Sequence, residues 1–205
     1  MRSKLMFISD LEKLAKRLEE LYGDIELDDI VQRLIDFYEL GFTNINHSSL
    51  QLILSAYFKS LGYRVFVEYE KKGKLLDLYV SDEDMGIEVE YGYIPNSDAI
   101  DAEEYLLSRI SLKILRYSSL SSKFYIAVPS FYMPPIPEEL TADVKDKAKL
   151  RRVIEIIRKF YKINDVTFND VKLAKINGII SVDISNLSIS VIDIRKYKQL
   201  KDSYK

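Results

Sequence analysis

The segment from residue 63 to residue 91 constrains this chain more than any other. It holds three short runs rich in β-branched, leucine and aromatic residues, 63–70, 74–80 and 86–91, each of strand length. Lys71, Lys72 and Gly73 supply the first turn, and the acidic stretch 81–85 supplies the second, short enough to make the last two runs neighbours. Ahead of them, Leu50, Leu52, Ile53, Leu54, Tyr57, Phe58 and Leu61 read as a strongly apolar helix closed by Gly62. A helical pattern over 102–117 and an apolar strand over 124–128 follow. The expected order is α-β-β-β-α-β in an α/β (α+β) fold with a mixed sheet flanked by helices.

The flanks divide the chain into three stretches: 1–46 as an N-terminal helical element, 47–130 as the core, and 131–205 as a C-terminal extension packed on it. In the first, Ser9 caps an amphipathic helix carrying Leu11, Leu14, Leu18 and Leu21 and ending at Gly23. A second helix spans about residues 27 to 40, with Ile30, Leu34 and Tyr38 on its apolar side. These two helices are expected to cap the core or to provide a homodimer contact. After Pro134 and Pro135, a basic helix is expected over 141–161, then strands over 171–175, 178–184 and 187–194.

Composition narrows the chemistry. The chain has 205 residues, no cysteine and one histidine. Disulfides, thiolate nucleophiles, zinc knuckles and iron–sulfur clusters are therefore excluded, as is any site that needs paired imidazoles. Neither a G-x-G-x-x-G nor a G-x-x-x-x-G-K-[ST] pattern occurs among the seven glycines. His47 precedes two serines at a helix start and is read as helping that helix begin. No apolar run is long enough to cross a membrane, and no apolar stretch follows Met1, so a cytoplasmic, intracellular protein is expected. Few methionines with abundant Lys, Glu, Ile and Tyr match heat-adapted proteins.

Carboxylates then lead the candidates. Alternation puts Leu75, Asp77 and Tyr79 on one face of their strand and Leu76, Leu78 and Val80 on the other, while Glu88 and Glu90 share a face opposite Ile87 and Val89. Two such carboxylates about 5 Å apart repel by about 3 kcal/mol at an effective dielectric near 20. A Mg²⁺ or Mn²⁺ ion is the simplest neutraliser, and it suits phosphate chemistry. The ordinary alternative is a solvated sheet face carrying alternating charges.

The elements LLDLYV at 75–80 and GIEVEYG at 86–92, with the surrounding element order, resemble the PD-(D/E)XK nuclease superfamily of restriction-type endonucleases and Holliday-junction resolvases. The resemblance covers roughly residues 48–128. It implies a restriction-endonuclease-like core in which Asp77 and Glu88 hold a divalent metal that activates water for phosphodiester hydrolysis. Glu90 stands where the superfamily usually has Lys, and would hold a second metal or position water. Lys74 or Lys113 would then replace the missing cation, and Leu76 stands in place of the Pro. Gln51 sits roughly where many members carry a supporting Glu.

DNA is the implied partner. Arg109, Lys113 and Arg116 form one stripe on the helix over 102–117, and Lys74 lies nearby in sequence. Arg151 and Arg152 belong to the C-terminal basic helix with Lys145, Lys147, Lys149, Arg158 and Lys159, interspersed with Asp143, Asp146 and Glu155. Tyr91, Tyr93 and Tyr132 are candidate stacking partners for bases. The competing expectation, favoured by Glu90 at the Lys position, is a catalytically inactive nuclease fold that binds DNA or protein.

Overall fold

The computed structural model describes residues 2–142, 147–163 and 167–203. Eight helices and six strands follow in the order α1 (Arg2–Tyr22), α2 (Asp28–Glu39), α3 (Ile45–Ser60), β1 (Val65–Lys71), β2 (Lys74–Val80), β3 (Met85–Val89), α4 (Ala102–Tyr117), β4 (Lys123–Pro129), α5 (Glu138–Thr141), α6 (Lys147–Phe160), α7 (Phe168–Leu173), β5 (Gly178–Asp183), β6 (Ser188–Asp193) and α8 (Ile194–Ser203) among the described residues. The strands form one open mixed sheet in sequence order. β1, β2 and β3 are an antiparallel meander, β3–β4 and β4–β5 are parallel, and β6 returns antiparallel to β5. The order from α3 to β4 is α-β-β-β-α-β.

The meander follows from its turns. Lys71 pairs with Lys74, so β1 and β2 are joined by the two residues Lys72 and Gly73, both at positive φ (53° and 72°). A two-residue hairpin with both central residues in that region matches the twist of the strands it joins.

Helices cover both faces of the sheet. On one side lies α3, whose Leu50, Leu52, Ile53, Leu54 and Ala56 are all buried, the mark of a helix with partners all round. Its outer neighbours are α1 and α2, which with the α2 N-cap residue Leu27 bring Phe7, Leu11, Leu18, Ile30 and Leu34 into the same cluster as Val67, Leu78 and Ile87 of the sheet. On the other side, α4, α6 and α7 bury Ile110, Ile114, Leu150, Val153, Ile157 and Val171 against Phe124, Ile126 and Ile179.

Several sequence expectations shift. α1 begins at Arg2, so Ser9 lies inside it; Phe7 extends the buried stripe of Leu11 and Leu18 one turn earlier. That stripe faces α3, whereas Leu21, read from the sequence as part of it, is 54% exposed. The expected strand over 171–175 is mostly helix: α7 opens on a capping box, with the Thr167 side chain accepting from the Asp170 backbone and the Asp170 carboxylate accepting from the Thr167 backbone. The expected long helix over 141–161 is α6 preceded by the short α5, and Asp143, Lys145 and Asp146 lie outside the described residues. α8 was not foreseen; it starts directly from β6, where the Asp193 carboxylate accepts from the backbone N–H groups of Arg195 and Lys196. Among the described residues no helix is long and apolar enough to cross a membrane.

Candidate metal centre between two helices and three strands

The site forms where regular strand geometry stops. Val65 and Val67 of β1 face α3, yet Glu68 adopts φ 48°, and the next residue, Tyr69, packs on the opposite face against Tyr79. β2 makes the matching switch: Leu76 joins Tyr79 on the α4 side, whereas Leu78 and Val80 join the α3 side. Register is kept across the break, with Val67 opposite Leu78 and Tyr69 opposite Leu76. Glu68 and Asp77 are the residues that step out of the alternation. Leu76 and Leu78 therefore do not share a face, contrary to simple period-two reading.

A second irregularity separates β2 from β3. Their ladder runs from Val80 opposite Met85 to Leu78 opposite Ile87. Beyond it, side chains take over: the Asp77 N–H donates to Glu88 Oε1 (3.2 Å), and the Val89 N–H donates to Asp77 Oδ2 (2.7 Å). Carboxylates thus satisfy backbone donors that the parting strands would otherwise leave unpaired.

Two helices reach this point from opposite faces. From α3, Gln51 Nε2 donates to Glu68 Oε1 (2.8 Å) and to the Asp77 carbonyl (2.9 Å), and His47 Nε2 lies 3.3 Å from Asp77 Oδ1. His47 and Gln51 are four residues apart and so share a helix face. From α4, Lys113 Nζ sits 3.3 Å from Asp77 Oδ2, 3.1 Å from Glu88 Oε2 and 2.8 Å from the Val89 carbonyl.

Burial sets the electrostatics. Desolvation and the neighbouring Asp77 charge push Glu88 well above the usual carboxylate range. Burial and Asp77 likewise push Glu68 up to about 7, against the Gln51 hydrogen bond. Burial opposes ionisation of Asp77 too, but Lys113 and His47 outweigh it and hold the acid well below its ordinary value. Lys113 stays protonated because Asp77 and Glu88 overcome its own desolvation.

His47, Glu68 and Asp77 each offer a ligand atom, and the three atoms lie within 4.8 Å of one another, a group able to hold a metal ion. Two further observations fit a cation there. Gln51 Oε1 is buried with no hydrogen-bond partner. Glu68 also keeps a left-handed backbone that costs a non-glycine residue on the order of 1 to 2 kcal/mol, strain of the kind that gathers where a side chain must be aimed.

The residues named from sequence fall into three groups. Asp77, Glu88 and Lys113 meet. Glu90 lies apart: its fully buried carboxylate accepts from Arg109 Nε (2.7 Å) and from the N–H groups of Tyr91 and Gly92. The remaining cations stand outside: Lys74 Nζ donates to the Arg116 carbonyl, and Arg151 and Arg152 are exposed on α6 and join none of the ion pairs among the described residues. Of the tyrosines, Tyr93 is exposed, while the Tyr132 hydroxyl is buried without a partner. Glu68 was not singled out from sequence, and His47 was read only as a helix-entry residue. Its backbone N–H does donate to the N-cap Asn44, but its ring turns to Asp77. The signal for Glu68 was available by counting back from the Lys72–Gly73 turn, which sets residue 68 opposite residue 77.

No protein-family model matches the chain, and comparison with curated proteins and with solved structures returned no match.

Proposed function

We propose that this protein is a divalent-metal-dependent nuclease that hydrolyses phosphodiester bonds in DNA. The observation that carries the reading is the convergence of His47, Glu68 and Asp77 beside the Lys113-bridged pair of Asp77 and Glu88, at the point where β2 and β3 part. The α-β-β-β-α-β order and the placement of Asp77 and Glu88 on consecutive strands support a PD-(D/E)XK-like core. Lys113, reaching in from α4, supplies the cation that Glu90 does not.

The donor set of one imidazole and two carboxylates fits Mn²⁺ or Mg²⁺, with the nitrogen favouring Mn²⁺. When bound, such an ion polarises a phosphoryl oxygen and lowers the pKa of water. The chain's own residues do the rest. Asp77, held ionised, presents negative charge to that ion. Lys113 stands ready to meet charge developing on the phosphate oxygens. Glu88 accepts from the Asp77 N–H through Oε1 and from the Lys113 ammonium through Oε2, and so holds that cation against the site.

Incubating the protein with single-stranded, duplex and branched DNA in Mn²⁺ or Mg²⁺ tests this. Cleavage that falls about 100-fold or more in Asp77→Asn and Glu88→Gln is the expected result. Absence of cleavage across all substrates, with the variants indistinguishable from wild type, would overturn it.

One observation favours a second reading. Lys113 already neutralises Asp77 and Glu88 internally, and an acid pair so compensated has less need of an ion. A nuclease-derived fold that binds DNA or a partner protein without cutting would look the same. Calorimetric titration with Mn²⁺ separates the two: heat lost in Asp77→Asn supports the enzyme, and no heat in wild type supports the binding module.

A further inference from the structure

One turn of α4 before Lys113, the helix presents a second cation to the same sheet. Arg109 is anchored through Nε to Glu90 Oε2, and Glu90 is itself locked by two backbone N–H groups and completely buried. Burial of that carboxylate without Arg109 would be prohibitive, so the pair fixes the guanidinium in place. Anchoring through Nε leaves the Nη side of the fork, and the Arg109 side chain is 31% exposed. Apart from Glu90, Arg109 joins no carboxylate among the described residues; Tyr105 is its other bonding neighbour.

Beside this pair stands Tyr132. Its ring packs on Gly92, where an added Cβ would fall 2.7 Å from a ring carbon. Its hydroxyl is buried and makes no hydrogen bond. Tyr132 and Tyr161 both lie within electrostatic range of Glu90 and Arg109. A buried hydroxyl with no partner costs on the order of 1 to 3 kcal/mol, and such an orphan calls for an explanation. A fixed, partly exposed guanidinium with donors beyond those spent on Glu90 and Tyr105, and an unpaired tyrosine hydroxyl near it, are the groups from which an anion receptor is built.

We propose that Arg109 and Tyr132 form a phosphate subsite that takes the backbone phosphate adjoining the one at Lys113, with Glu90 as its positioning residue. The inference rests on the nuclease reading for which phosphate is cut, but the subsite itself requires only a nucleic-acid strand. Four residues of helix separate Arg109 from Lys113 by about 6 Å along the axis, a step suited to consecutive phosphates of one strand. Glu90 is then accounted for at a position where the superfamily resemblance implies Lys: it orients an arginine instead of meeting the metal.

The test is binding without turnover. Fluorescence anisotropy of a labelled ten-nucleotide single-stranded DNA is measured in EDTA with full-length wild type, Tyr132→Phe, Arg109→Lys and Glu90→Gln, alongside thermal melting. Tyr132→Phe removes only an unpaired hydroxyl, so its melting temperature should be at or above wild type while affinity falls about ten-fold; Arg109→Lys should fall at least as far. Replacing one phosphate by neutral methylphosphonate should weaken wild type and leave Arg109→Lys nearly unchanged at a single position. Tyr132→Phe binding as tightly as wild type, or methylphosphonates acting equally on both proteins at every position, would overturn the subsite. The nuclease reading fails separately, by absence of metal-dependent cleavage.

Discussion

At the scale of single residues, the site is a problem in charge neutralisation with two solutions, Lys113 from within and a cation from outside. Removing the internal one exposes the other. Lys113→Met strips Asp77 and Glu88 of their shared partner, and loss of one member of a buried ion group costs about 3 to 5 kcal/mol. Chemical denaturation in EDTA should show a loss of that order. Adding Mn²⁺ should restore more stability to the variant than it adds to wild type, because the vacated carboxylates gain most from the ion; equal gains would mean that no metal reaches them. In wild type, ligand linkage sets the scale: at 100-fold excess over its dissociation constant, Mn²⁺ should raise stability by about 2.7 kcal/mol, with Glu68→Gln and His47→Asn each reducing that gain. Asp84 offers a separate test by pH. Its carboxylate accepts from Lys71 Nζ (2.7 Å) and the Tyr79 hydroxyl (2.8 Å), and these bonds hold its pKa below the ordinary aspartate value. A depressed acid stabilises the fold above its unfolded pKa and loses that contribution as pH falls through the folded one. Asp84→Asn, which tolerates the same positive φ, should therefore flatten the acid limb of a stability–pH curve below about pH 4. The change should be small, since the group is close to half exposed and solvent screens it.

At the scale of elements, local chemistry explains both what the sequence disclosed and what it hid. β2 and α4 were legible to the residue, because a tight turn bounds one and an apolar stripe with acidic first-turn residues marks the other. The residues 171–175 were misread because Val171 and Leu173 alternate like a strand, whereas Thr167 and Asp170 three residues apart form a capping box that commits the chain to a helix. Thr167→Ala should cost about 1 kcal/mol in denaturant melts, and a cost near zero would mean that packing of Val171 alone specifies α7. In the site, Asp77, Glu88 and Lys113 were readable from motif and helical spacing. For Glu68 the turn count gave the pairing with residue 77 but not the face: period-two alternation places it with Phe66 and away from α3, and only its positive φ swings it toward Gln51. Glu90 shows the opposite failure: alternation sets it in line with Glu88, but the end of β3 at Val89 lets its carboxylate fold back onto the N–H groups of Tyr91 and Gly92.

At the scale of the whole molecule, the site depends on helices far from it in sequence. α3 carries His47 and Gln51 to the sheet, and α3 in turn is buried beneath α1 and α2 through Leu11, Leu18, Leu27 and Leu34, each fully buried. A core leucine contributes about 1.5 to 3 kcal/mol on burial, so these four alone match a sizeable part of the roughly 5 to 15 kcal/mol that stabilises an ordinary domain. Truncation ahead of Asn44 would remove them and uncover the outer face of α3. The core from α3 to β4 therefore should not fold cooperatively by itself, even though it contains Asp77, Glu88 and Lys113. The truncated chain should lose near-UV dichroism and its sharp thermal transition, and should fail to bind Mn²⁺. A truncated protein that melts cooperatively would show instead that α3 is held by the sheet alone, and that the N-terminal helices serve a surface role.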